Sequence, residues 1–198
     1  MNRGQFLRLG VAGAAAAAGV LAAPATAALP TPRPQGDDVG YLSFGAVAEL
    51  TSLAWYRQAG RVRGFSAAER RRLRAAATAK RAHIGRINTA LAGDAIRPGD
   101  FSADFRASRL ASRDRALALG REIEGLLVGV YLNGAAFASD AATRLLIGRL
   151  LTYDAQQLAW IRGLTGGLAG TGLPSPQTLE HAGATLDGLV ATPSFTNS

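Results

Sequence analysis

The stretch that decides the fold is E-G-L-L-V-G-V-Y over residues 124–131, where a glutamate and a tyrosine are separated only by glycine and apolar residues. Seven residues make about two helical turns, so Glu124 and Tyr131 share one face of a helix. The same two residue types recur at the same spacing earlier in the chain, as Glu49 and Tyr56. We therefore interpret the sequence as two related helical halves.

Four helical segments each carry an apolar stripe with alternating three- and four-residue spacing, which predicts a seam facing a core. Hydrophilic residues interrupt every stripe near its middle. They are Glu49 in the first segment, Lys80 and His83 in the second, Glu124 in the third, and Asp154 and Gln157 in the fourth. Unpaired charges are costly to bury, so these groups should satisfy one another, water or a metal. The pattern predicts one shared polar site inside a helical bundle.

Capping and stop residues define the helices. The predicted helices cover residues 37–58, 66–92, 113–136 and 139–165, and a short tail helix covers 175–190. Asp37 and Asp38 are expected to cap the first helix, and Ser66 with Glu69 forms a capping box for the second. The connection over 94–112 could extend about 60 Å at ~3.3 Å per residue, so the third helix can start parallel to the second. One long crossover of this kind distinguishes a ferritin-like bundle from an up-down-up-down one.

With these residues the chain resembles the ferritin-like family, in particular exported bacterial ferritin-like proteins that often carry twin-arginine signals. The resemblance covers about residues 37–165. It is strongest over 124–131 and is echoed by D-A-Q-Q-L-A-W over 154–160. It implies an all-α fold, a four-helix bundle with one long crossover and a short C-terminal helix. It also implies an iron or manganese site used for oxidation or storage.

Carried over residue by residue, the resemblance gives a degenerate metal site. The candidate ligands are Glu49, His83, Glu124 and Asp154. Lys80 stands where the family pattern has a bridging glutamate, and Gln157 stands where it has a histidine. A protonated lysine cannot coordinate a metal, and it could replace one by pairing with Glu49 and Glu124. Three carboxylates and one ammonium would balance at most one divalent ion.

Two functions remain open at this point. The favoured one is an exported bundle with a vestigial two-metal site, acting as a structural or binding protein of unknown ligand and needing no cofactor. The alternative is an iron- or manganese-binding oxidase or storage protein with an atypical, single-ion site. The sequence therefore leaves enzymatic activity open and favours a protein without it.

The first 28 residues are expected to be a cleaved export signal. Arg3 and Arg8 form a basic start, residues 9–23 are apolar, and Ala25-Thr26-Ala27 fits a small-x-small cleavage site. The segment R-G-Q-F-L-R over 3–8 resembles a twin-arginine motif in which glycine replaces the second arginine, so the general secretory route stays open as well. The apolar stretch is short and alanine-rich, which argues against a stable membrane anchor. A Pro-rich linker over 29–36 then leads to the bundle over 37–167, and residues 168–198 form a loop and tail helix.

Composition narrows the remaining classes of function. The chain has 198 residues, 48% of them hydrophobic, and no cysteine, so disulfides, thiolate metal sites and cysteine nucleophiles are excluded. The formal charge of +8 comes almost entirely from arginine, which we attribute to coding bias, and the basic run over 70–74 is expected to be a solvated helix face. We expect no nucleic-acid partner, and the sequence is compatible with a homodimer.

Overall fold

The computed structural model describes residues 30–96, 101–167, 172–190 and 193–195. The predicted export signal over 1–28 lies outside these residues, as do parts of the loop and tail over 168–198. Residues 31–35 of the predicted linker have no helical or strand structure. No helix in the described ranges is both long and apolar enough to span a membrane.

The all-α prediction is confirmed. Four long helices and one short helix occur in the described part of the chain: α1 Asp37–Ala59, α2 Ala67–Leu91, α3 Arg113–Phe137, α4 Ala141–Leu164 and α5 Leu179–Leu189. The capping box at the start of α2 is present, since the Ser66 hydroxyl accepts from the Glu69 amide and the Glu69 carboxylate accepts from the Ser66 amide. Asp140 caps α4 by accepting from the Thr143 amide at 2.7 Å.

Contacts between the helices establish their directions. Arg113 pairs with Glu69, and eleven residues further along both helices Glu124 pairs with Lys80. The constant offset in residue number shows that α2 and α3 run parallel, as the long crossover predicts.

Helix α1 runs antiparallel to α3. Trp55, near the end of α1, donates its indole N–H to Ala116 near the start of α3, while Tyr41 at the start of α1 meets Asn133 near the end of α3. The parallel pair and the antiparallel pair together give the ferritin-like connectivity.

The crossover contains two short 3-10 turns, Ala92–Asp94 and Ala107–Leu110, and a three-residue strand, β1 Phe101–Ala103. Strand β1 pairs antiparallel with β2 Pro193–Phe195, with Phe101 opposite Phe195. The sequence did not predict this pairing, because three residues are too few to show an alternating pattern and the partner strand is distant in the chain.

Two capping expectations were wrong. Gly36, not an aspartate, is the N-cap of α1, and its φ of 53° lies in the left-handed region that favours glycine. Asp38 is buried and accepts hydrogen bonds from the Ser139 amide, the Ser139 hydroxyl and the Asp140 amide. Asp38 therefore joins the start of α1 to the turn between α3 and α4. It does not cap α1, because these donors hold its carboxylate away from its own helix.

The tail helix α5 begins at Leu179, four residues later than the predicted start at residue 175. The Gln177 amide donates to the carbonyl of Gly129 in α3, and this bond to another element holds the preceding segment outside the helix. Thr178 is the N-cap instead, and its hydroxyl accepts from the His181 amide. His181 in this helix is exposed.

Gly120 in α3 packs so closely against Trp55 that no side-chain atom fits at this position. Trp55 is fully buried, and a Cβ built on Gly120 would lie 2.1 Å from its Cζ2 atom. Helices α1 and α3 can approach this closely only because residue 120 is glycine. This close approach also brings Ser52, one turn before Trp55 in α1, into contact with Glu124, one turn after Gly120 in α3.

Candidate functional site

The interrupting polar residues of the four seams converge in the centre of the bundle. Each lies on the inward face of its helix, because helical periodicity carries the apolar stripe and its interruptions to the same side. All six are buried: Glu49, Lys80, His83, Glu124, Asp154 and Gln157. The structure thus brings every sequence-predicted site residue into one region.

Lys80 is the centre of this cluster. Its Nζ atom lies 2.6 Å from Asp154 Oδ1, 3.1 Å from Glu49 Oε2 and 3.3 Å from Glu124 Oε2. All four side chains have 0% exposed surface. The sequence predicted pairing with Glu49 and Glu124, and the structure adds Asp154 as the nearest partner. A single ammonium is therefore shared by carboxylates from three other helices.

The electrostatics of the cluster favour a charged lysine. Burial opposes the charge of Lys80, but the carboxylates of Asp154, Glu124 and Glu49 outweigh burial and raise its pKa above the ordinary value. Burial raises the pKa of Glu49, and Glu124 adds to the rise while Lys80 opposes it. Burial also raises the pKa of Asp154 well above its usual range. The two raised pKa values favour retention of a proton by the carboxyl groups of Glu49 and Asp154.

Two further groups hold the second oxygen of Glu49. The Tyr131 hydroxyl donates to Glu49 Oε1 at 3.1 Å, and His83 Nδ1 lies 3.1 Å from the same atom. Burial lowers the pKa of His83 to about 4, so its imidazole is neutral at pH 7. A neutral ring bonded to a carboxylate carries its proton on Nδ1, and it also meets the ring of Tyr153 edge-on at 4.9 Å.

Sequence reasoning missed one residue of the cluster. The Ser52 hydroxyl donates to Glu124 Oε1 at 2.6 Å, within the buried interior. Ser52 follows Glu49 by three residues and so shares its helix face, which is the signal that could have identified it. The Tyr131 hydroxyl is bonded to Glu49, whereas the Tyr56 hydroxyl has no hydrogen-bond partner among the described residues.

The donor set does not fit the two-metal centre that the resemblance implies. Lys80 fills the space common to the three carboxylates, and a protonated ammonium has no lone pair to offer a metal. Gln157 supplies an amide where the second histidine would be.

Part of the cluster retains the geometry of a smaller site. Ligand atoms of Glu49, His83 and Asp154 all lie within 4.8 Å of one another. Asp154 Oδ2 and Gln157 Oε1 are buried and have no hydrogen-bond partner within the described ranges. These acceptors face the same interior as the three candidate ligands, so they could take part in holding one ion or a water molecule.

A family model described as a ferritin-like domain matches residues 37–167. No curated protein and no solved structure matches the chain significantly.

Proposed function

Because the chain belongs to the ferritin-like domain family, we propose that it is an exported four-helix bundle in which Lys80 takes the place of the metal pair. In this proposal the protein acts as a structural or binding protein and has no two-metal oxidase activity. One observation carries the proposal: the Lys80 ammonium contacts three buried carboxylates from three other helices. A permanent internal cation supplies part of the positive charge that bound metal would otherwise provide, and the raised pKa values of Glu49 and Asp154 favour protonated carboxyl groups that reduce the remaining negative charge.

Charge balance explains why such a cluster can persist in the core. Buried carboxylates that lose their counter-charge destabilise a fold strongly, and a lysine on a facing helix supplies one positive charge to them without any ion from outside. The arrangement also fixes which helix faces meet, since Lys80 in α2 selects Glu49 in α1 and Asp154 in α4. The cluster therefore serves the architecture of the bundle.

Export is part of the proposal, and the sequence supports it. The basic start, apolar stretch and small-x-small site within residues 1–28 have the composition of a cleaved signal. The segment over 3–8 resembles a twin-arginine motif that lacks its second arginine, so the proposal leaves both the twin-arginine and the general secretory route open. Cleavage would release a chain that begins near the Pro-rich segment.

A second candidate function is supported by the proximity of Glu49, His83 and Asp154. Their ligand atoms are close enough to hold one ion, and one divalent charge matches what three carboxylates and one ammonium leave unbalanced. The protein would then be an iron- or manganese-binding protein with a single-ion site.

Metal content distinguishes the two candidates. The exported protein is purified from cells grown with added iron and manganese, and bound metal is measured by mass spectrometry. We expect far less than one ion per chain. Near one ion per chain, lost in Glu49→Ala but retained in Glu122→Ala, would support the single-ion candidate, because Glu122 is an exposed residue paired with Arg109. More than one ion per chain, lost in Glu124→Ala, would contradict both.

A gain-of-function variant sharpens the same test. Lys80→Glu restores the carboxylate that the family pattern expects, so the metal-free variant should be less stable than the parent. Manganese should then raise its unfolding temperature, because an ion that binds only the folded state stabilises it. The parent should show no such rise. A parent that responds as strongly as the variant would show that Lys80 does not exclude metal.

A further inference from the structure

A cleft on the outside of the α1–α2 hairpin is lined by four arginines. They are Arg57, Arg61, Arg74 and Arg81, and the cleft has a volume of about 440 Å³. No acidic residue lines it. All four arginine side chains belong to exposed residues, so their guanidinium groups are accessible to a ligand.

Helix geometry explains how the arginines meet. Arg57 lies in the last turn of α1, and Arg61 follows in the turn after that helix. Arg74 and Arg81 are two turns apart on one face of α2. The short turn between α1 and α2 brings both pairs to one cleft, which the small residues Gly60 and Ala77 also line.

This concentration of positive charge has no internal counter-charge. Within the described residues none of the four arginines forms an ion pair, whereas Arg109 and Arg113 elsewhere in the bundle do. Asp104 lines a neighbouring cleft, which shares Arg57 and Arg61 with this one. Arg74 and Arg81 do not line that neighbouring cleft. Like charges at helical spacing repel one another, so an anion bound between them would relieve that repulsion.

We propose that this cleft binds a multivalent phosphate-bearing anion. Guanidinium groups present paired N–H donors that match the oxygens of phosphate, and several converging arginines favour a ligand with several negative charges. The cleft volume accommodates a group of the size of pyrophosphate. The proposal does not depend on the Lys80 cluster, since the two sites share no residue. If the cleft binds such an anion, ligand binding rather than coding bias explains why four arginines lie on this face of the bundle.

Calorimetric titration of the exported protein with pyrophosphate tests the proposal. In the double variant Arg74→Gln, Arg81→Gln we expect binding to weaken by about tenfold or more. The matched control is Arg71→Gln, Arg149→Gln, which removes the same charge at exposed positions outside the cleft. The control should change the affinity by less than about twofold. All four positions are exposed, and circular dichroism verifies that both variants fold.

Two results would overturn the proposal: no binding of pyrophosphate by the parent at low salt, or equal weakening of binding in the cleft variant and the control.

A competition experiment distinguishes the source of the phosphate. Displacement of pyrophosphate by phosphatidylglycerol vesicles, but not by phosphatidylcholine vesicles, would place the phosphate on a lipid headgroup. Retention of pyrophosphate against both would support a soluble anion.

Discussion

Lys80 in α2 and Asp154 in α4 meet in the centre of the bundle, with 2.6 Å between Nζ and Oδ1 and no exposed side-chain surface on either residue. In the family pattern both positions would carry metal ligands. Here one supplies an ammonium and the other a carboxyl group that lies against it, so the cluster is assembled from protein groups alone. Its energetic consequences can be measured through stability, without any knowledge of a ligand.

Removal of the buried ammonium should destabilise the protein strongly. Lys80→Met leaves Glu49, Glu124 and Asp154 without a counter-charge, and breaking a buried pair in this way costs about 3–5 kcal/mol in the free energy of unfolding near neutral pH. The loss should be smaller at pH 5. Glu49 and Asp154 have pKa values raised by burial, so folding favours their protonated forms, and the repulsion between them grows as pH rises. Chemical denaturation at both pH values gives the comparison.

Arg71→Met is the matched control for this prediction, because it removes an exposed positive charge from the same helix. It should change stability by less than about 0.5 kcal/mol. An unfolding midpoint of Lys80→Met equal to that of the parent at neutral pH would contradict the central role assigned to Lys80.

His83 should contribute a pH dependence of its own. Its pKa in the folded protein is about 4, below the ordinary value of 6.5, so folding favours the neutral ring. That contribution is fully present above pH 6.5 and is lost as pH falls toward 4. The stability difference between the parent and His83→Gln should therefore shrink as the solution is acidified from pH 7. Urea denaturation at a series of pH values measures it, and a difference that grows on acidification would disprove the sign.

The other histidine of the chain provides the control. His181 is exposed in α5 and takes no part in the cluster, so the difference between the parent and His181→Gln should stay nearly constant over the same pH range.

The contact between Gly120 and Trp55 predicts a severe effect from one added methyl group. In Gly120→Ala the new Cβ would overlap the buried indole, and overpacking of this kind typically costs about 1–3 kcal/mol. Gly125→Ala on the same helix is the control, since a Cβ there meets nothing within 4 Å and alanine favours the helix by about 1 kcal/mol. The two variants should shift the melting temperature in opposite directions. Equal shifts would show that helix propensity, not packing, dominates at position 120.

Asp38 should matter more than the acid beside it. Its carboxylate accepts three hydrogen bonds from Ser139 and Asp140, so Asp38→Ala leaves these donors without their partner and should cost about 1–3 kcal/mol. Asp37→Ala removes an exposed acid from the same first turn of α1 and should cost less than about 1 kcal/mol through the helix dipole alone. Thermal unfolding compares the stability of the two variants. Equal losses of stability would show that Asp38 acts only through the helix dipole.

Much of the bundle could be predicted because its signals are local. The apolar spacing of each helix depends only on neighbours within a few turns, and the capping box at Ser66 and Glu69 is complete within four residues. The length of the 94–112 connection was enough to predict parallel α2 and α3, since a chain that long can return along the bundle. The expected cap by Asp38 was wrong because that carboxylate accepts instead from Ser139 and Asp140, which are distant in sequence and leave no local signal.

The sequence by itself determined that polar groups from four helices would share one interior site, because each lies on the buried stripe of its own helix. Only the tertiary structure decided how they pair. Asp154 is nearest to Lys80, Tyr131 reaches across to Glu49, and Ser52 supplies a donor to Glu124. These contacts depend on the spacing and rotation of packed helices, which close packing at positions such as Gly120 fixes. Helical periodicity gives the face on which a side chain lies, whereas the atom it meets is set by the neighbouring helices.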